Sequence, residues 1–124
     1  MNVVDSSGWL EYFADESNAS FFAPAIQTIS ELVVPSLSLY EVFRKILQHK
    51  NEEEALRAIG LMMQGSVADL TPPIALSAAD LSLRFKLHMA DSLMLATAQA
   101  YNATFWTQDA DFENIPGVRY VRKG

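Results

Sequence analysis

The 124-residue chain contains no cysteine. Disulfides and thiolate metal sites are excluded, and the composition fits a reducing compartment such as the cytoplasm. No apolar run approaches the roughly 20 residues that cross a bilayer. The N-terminus lacks the basic stretch and apolar core of an export signal. The only histidines, His49 and His88, are not spaced as a metal pair. Five glycines and five prolines are too few and too scattered to form a linker, and no internal repeat is present. A positive charge excess, the usual footprint of a nucleic-acid binder, is also missing: 15 acids against 9 Lys and Arg give −6.

Half of the residues are apolar, which excludes disorder. A chain of this length buries roughly two-thirds of its unfolded surface, and one domain, residues 1–124, is expected. Asn2 to Asp5 reads as a strand with an acid at its end, followed by Ser6, Ser7 and a helix to Phe13. A second helix spans about Ala19 to Ile29, provided that Pro24 lies in its first turn or kinks it. Leu32 to Val34 is a second strand. Ser38 stands three residues before Glu41, the spacing of a capping box. The helix it opens carries Val42, Phe43, Ile46 and Leu47 on one face, with Arg44, Lys45 and Lys50 on the other. A helix with Leu56, Ile59 and Met63 stops at Gly65. Val67 to Leu70 is a third strand, and Pro72 opens a helix to Phe85 with Leu76, Ala79 and Leu83 apolar. Asp91 lies in the first turn of a small-residue helix from Met89 to about Tyr101. Ala103 to Trp106 and Arg119 to Val121 are the last strands, before the basic tail Arg122-Lys123.

This alternation predicts an α/β fold with a parallel sheet covered on both faces. Right-handed crossovers place all strand C-terminal ends at one edge. Asp5 closes the first strand, Glu41 belongs to the helix after the second, Asp91 opens the helix leading into the fourth, and Asp109 follows the fourth. The order of the elements therefore brings four acids to one edge. Clustered carboxylates repel and raise one another's pKa, and a hard divalent cation offsets that repulsion. Oxygen-only ligands favour Mg2+ or Mn2+ over zinc. Such an ion, with water and a substrate phosphate, performs phosphodiester hydrolysis. Removing the four acids from the net charge of −6 leaves −2, so the remaining Lys and Arg are able to face a phosphate backbone once the site holds cations.

Asp5-Ser6-Ser7, Glu41, Ala90-Asp91-Ser92-Leu93 with Ala96-Thr97-Ala98, and Thr107-Gln108-Asp109-Ala110-Asp111-Phe112 resemble the PIN domain, in a single-domain layout similar to VapC-type toxins of toxin–antitoxin pairs. The resemblance covers essentially the whole chain, and Thr-x-Asp-x-Asp-Phe is its most specific part. It implies a three-layer α/β/α PIN-like fold with four to five short strands in the order 3-2-1-4-5. It also implies an endoribonuclease that cuts RNA with a water activated by Mg2+ or Mn2+, a homodimer, and a cognate antitoxin. By the same analogy Asp5, Glu41, Asp91 and Asp109 form a catalytic, metal-binding quartet, Glu41 directly or through water. Ser6 and Thr107 support it through their hydroxyls. Met94, Leu95 and Trp106 are bulkier than the pattern, at positions that do not touch the acids.

Simpler roles stand beside these. Asp5 is also placed to cap a helix, Glu41 to be the capping-box partner, and Asp91 to complement the helix dipole; taken together, the four acids favour the site. Asp111 is either a fifth ligand or a turn former. Arg44 and Lys45, one turn beyond Glu41, are either phosphate-steering groups or a solvated face. Phe21, Phe22, Leu61 and Met62 are either core or an antitoxin groove. The rival functions are an inactive PIN-like binding scaffold and a magnesium-dependent phosphatase. An aspartyl phosphatase needs a second acid two positions after the first, where Ser7 stands.

Overall fold

Adjacent residues of each central strand face opposite ways, and the chain fills both sides. The computed structural model describes residues 1–124. Its strands are β1 (Asn2–Val4), β2 (Val33–Pro35), β3 (Ser66–Ala68), β4 (Thr104–Thr107) and β5 (Val118–Tyr120). The helices are α1 (Ser6–Phe13), α2 (Ala19–Gln27), α3 (Ser36–His49), α4 (Glu52–Met62), α5 (Pro72–Phe85) and α6 (Met89–Ala100). Val3, Val33 and Phe105 enter one core with Ile74, Ala78 and Leu81 of α5 and Leu95 of α6. Their neighbours Val4, Val34 and Trp106 enter the other, with Trp9, Phe22, Val42 and Met62 from α1 to α4. The result is three layers, with the sheet between two sets of helices.

All strand pairs are parallel. β1, β4 and β5 form one sheet and β2 and β3 a second. A parallel bridge between Asn2 and Leu32 joins them edge to edge, giving the order 3-2-1-4-5. Every strand C-terminus lies at one edge, because parallel strands share a direction.

Gly8 allows α1 to lie close over this sheet. A Cβ there would stand 2.6 Å from the Phe22 ring and 2.8 Å from Val4 Cγ1. Gly8→Ala is expected to destabilise by about 1–3 kcal/mol through overpacking, read as a lower denaturant midpoint. An unchanged midpoint would show that the Phe22 ring moves aside freely. Trp9 Nε1 is the one buried side-chain polar atom without a hydrogen-bond partner.

Several expectations shift. No capping box forms: α3 starts at Ser36, immediately after Pro35, whose backbone (φ −58°, ψ 137°) feeds straight into the helix. Ser38 is therefore inside the helix and buried, and its hydroxyl donates to Met94 Sδ at 3.4 Å. Pro24 is the sixth residue of α2, past the first turn, and the helix ends at Gln27. The interior faces of α4 and α5 are built from smaller residues than the sequence pattern suggests. Ala55, Ala58 and Met62 are buried in α4, and Ile74, Ala78 and Leu81 in α5. Leu56, Met63, Leu76 and Leu83 point to solvent. Alanines on these faces let the helices pack closely beside Met62, Ile74 and Leu81, while Leu56, Leu76 and Leu83 occupy the outer surface.

Candidate active site

The site is built where β1 and β4 end. Val4 is in register with Trp106, and the Asp5 N–H donates to the Trp106 carbonyl at 2.9 Å, continuing the pairing by one residue. Asp5 is thereby set beside Thr107, whose buried hydroxyl donates to Asp5 Oδ2 at 2.8 Å. The Ser7 hydroxyl donates to the same oxygen at 3.1 Å. Asp5 occupies the position before α1, yet its side chain makes no cap hydrogen bond. The Thr107 oxygen also accepts the Asp109 N–H at 3.0 Å. One hydroxyl thus fixes both the first acid and the backbone of the fourth. Asp109 Oδ1 in turn accepts the Asp111 N–H at 2.9 Å, opening a single 3-10 turn, Ala110–Phe112. Asp109 is a turn former and a groove carboxylate at once.

Glu41 arrives from the second turn of α3, and its Oε1 accepts the Ser6 hydroxyl at 2.8 Å. Asp91 stands in the first turn of α6. Asp5, Glu41, Asp91 and Asp109 all line one open groove of about 1150 Å³, together with Ser6, Arg44 and Lys45. Thr107 is fully buried behind them. Asp111 is exposed; with Asp91 and Asp109 it presents carboxylate oxygens within 4.8 Å of one another. This tight triad differs from the quartet read in the sequence: Asp111 joins it, and Asp5 and Glu41 stand outside it along the same groove.

Asp91 lies within electrostatic reach of the other three acids. Burial pushes the Asp91 carboxyl up to about 6, and the negative charges of Asp5, Asp109 and Glu41 push the same way, with His88 opposing in part. Asp5 is also raised, first by burial; the hydroxyls of Thr107 and Ser7 oppose this, and the Asp109 charge adds to it. A groove in which burial and neighbouring carboxylates disfavour the charged form of Asp5 and Asp91 is short of positive charge. Its donors are all hard oxygens. Both observations fit a hard divalent cation, and Asp91, Asp109 and Asp111 are placed so that they could hold one.

Sequence reasoning overlooked part of the groove. Tyr40, Tyr120, Arg122 and Lys123 also line it. The tail is not loose: Asn18 Nδ2 donates to the Arg122 carbonyl at 3.1 Å and to Gln108 Oε1 at 2.9 Å. A signal for these cations was present, since they follow the last parallel strand and so fall at the same edge as Asp109. Met94 is closer to the chemistry than expected. Its sulfur lies 3.5 Å from Ser6 Oγ, the hydroxyl that holds Glu41.

The PIN domain family model matches residues 3–118. The chain belongs to the PIN domain family. Solved PIN structures agree with the fold. A toxin–antitoxin complex from Klebsiella pneumoniae superposes with a TM-score of 0.81 at 22% identity, covering 96% of each chain. VapC20 of Mycobacterium tuberculosis, a toxin that cleaves the sarcin–ricin loop, gives 0.77 at 14% identity, covering 94% of this chain and 95% of that one. VapBC2 from Rickettsia felis, bound to a DNA fragment from its promoter, gives 0.75 at 14% identity, covering 98% and 97%. At these identities the likeness is one of fold. Comparison with curated proteins gives no match. No helix of this PIN domain is long and apolar enough to cross a membrane.

Proposed function

We propose that this PIN domain is a cytoplasmic, Mg2+- or Mn2+-dependent endoribonuclease and the toxin of a type II toxin–antitoxin pair. The observation that carries the reading is the groove itself, with Asp5, Glu41, Asp91 and Asp109 converging from four separate elements. Membership of the PIN family and the VapC-like fold support it. The sarcin–ricin-cleaving relative supports RNA as the substrate.

In this reading Asp91, Asp109 and Asp111 hold the ion, and Thr107 fixes Asp5 and the Asp109 backbone beside it. The bound ion supplies positive charge at the scissile phosphate and makes water a better nucleophile. Ser6 occupies Glu41 Oε1, so Glu41 Oε2 remains to orient the attacking water and take up its proton. Arg44 and Lys45 line the groove one turn beyond Glu41 and carry no ion pair within the protein, leaving their charge for phosphate.

Two partner surfaces go with this function. Leu10, Phe13, Ile46 and Leu61 line a second, apolar groove of about 350 Å³, which fits a cognate antitoxin. Of the groove residues considered from sequence, Leu61 belongs here, Phe22 and Met62 are core, and Phe21 packs on Trp106. Leu76, Leu83 and Met89, at 74%, 85% and 76% exposure, are the apolar side chains that this reading assigns to a homodimer contact.

The test is cleavage of labelled RNA by purified protein, present with Mn2+ or Mg2+ and abolished by EDTA; no cleavage of any RNA at millimolar metal would overturn the reading. Glu41→Gln keeps an oxygen for the Ser6 hydroxyl but loses the charge. Its melting temperature is expected to stay within about 2 °C, because surface-accessible substitutions that keep their bond cost little. Its cleavage rate is expected to fall about 100-fold, in the range of a lost general base. Equal rates for variant and parent would assign Glu41 a purely structural role.

A further inference from the structure

The groove has two walls of similar make-up. On one side, from α3, Tyr40 is followed by Arg44 and Lys45. On the other, from the end of β5, Tyr120 is followed by Arg122 and Lys123. The sheet order places α3, which follows β2, and β5 on opposite sides of the β1 and β4 ends, so the acids lie between the walls. None of these four cations is in an ion pair, although six acids line the same groove. Tyr40 is 63% exposed. No aromatic ring and no guanidinium packs on its face, and its hydroxyl makes no hydrogen bond within the protein; the same is true of Tyr120.

A free ring face one residue from Glu41, with unpaired cations one turn further on, is suited to a nucleotide. The cation takes the phosphate and the ring takes the base. Stacking of this kind requires a base whose faces are open, as in a single strand. We propose that Tyr40 is a stacking platform for an unpaired base next to the scissile phosphate, with Tyr120 serving the strand on the opposite wall. This rests on the nuclease reading above and adds a residue that contacts the base.

The test measures fluorescence anisotropy of the full chain, with Ca2+ in place of Mg2+, against three labelled probes. They are a single-stranded RNA of mixed sequence, the same strand carrying abasic positions, and its duplex. Tyr40→Leu is expected to weaken single-strand binding by about 5- to 150-fold, the factor contributed by one base–aromatic stack. Tyr40→Phe, which keeps the ring, is expected to bind within about twofold of the parent. Parent and Tyr40→Leu should bind the abasic strand alike, and the parent should bind the duplex more weakly than the single strand. Unchanged binding in Tyr40→Leu, an equal loss on the abasic strand, or equal affinity for the duplex would each overturn the proposal. A parent protein that cuts RNA while Tyr40→Leu binds normally sinks the stacking role alone. A parent that cuts no RNA with Mn2+ sinks the nuclease reading and this inference with it.

Discussion

Asp91→Asn is expected to lose metal-dependent RNA cleavage by at least about 100-fold, the scale on which removal of one charge-placing group acts, and to melt higher than the parent in EDTA at pH 7.5. The two effects share a cause. Asp91 is half-buried among Asp5, Asp109 and Glu41, and its pKa is raised from 3.8 to about 6. At pH 7.5 the metal-free parent must ionise it there, against burial and three like charges. Asparagine keeps the shape and removes the charge. The full shift would correspond to about 3 kcal/mol, and solvent screening at a half-exposed group reduces it to about 1 kcal/mol. That is a rise of about 3–5 °C for a domain of this size. Cleavage retained by a well-purified variant would place the chemistry elsewhere. A variant that melts lower in EDTA would show that the carboxylate is structural.

Magnesium is expected to stabilise the protein strongly at pH 7.5 and hardly at all at pH 5. The sign follows from the raised pKa. The folded state binds the Asp91 proton more tightly than the unfolded chain, so this stability is fully present below about pH 4. It is lost as pH rises through 6, the folded value. Metal works in the reverse direction, because below pH 6 it must displace a proton to reach the carboxylate. At an ion concentration about 100 times its dissociation constant the gain is about 2.7 kcal/mol, or about 8–14 °C in melting temperature. Thermal melts at both pH values, with and without Mg2+ at constant ionic strength, read this directly. An equal shift at pH 5 and pH 7.5 would show that the ion binds away from Asp91. In Asp91→Asn the pH dependence should largely disappear.

The convergence of Asp5, Glu41, Asp91 and Asp109 could be read from the sequence because it depends on topology. Strand and helix order, parallel pairing and handedness are enough to bring strand ends to one edge. The details that failed depend on side-chain contacts across the fold. Ser38 has the spacing of a capping residue, but Pro35, three residues earlier, takes the cap position of α3, and Met94, 56 positions away, receives the Ser38 hydroxyl. The same thioether under Ser6 was invisible, because a methionine in an apolar helix carries no local sign of what lies against it. For α4 and α5, the expected stripe through Leu56, Leu76 and Leu83 gives way to one that Ala55, Ala58 and Ala78 share with Met62, Ile74 and Leu81. Close helix packing rewards small residues, and hydrophobicity alone does not encode that phase. Tyr40 escaped notice for the opposite reason: exposure depends on what fails to pack against a residue.

The Thr107 hydroxyl joins a carboxylate at position 5 to a backbone amide at position 109. The first acid therefore acquires this partner only after the chain has been extended by 102 further positions. A ribosome-tethered fragment ending before Thr104 carries Asp5, Glu41 and Asp91 without the strand that orients them. On the proposed nuclease reading, competence to cut would then begin only once β4 has been made and paired with β1.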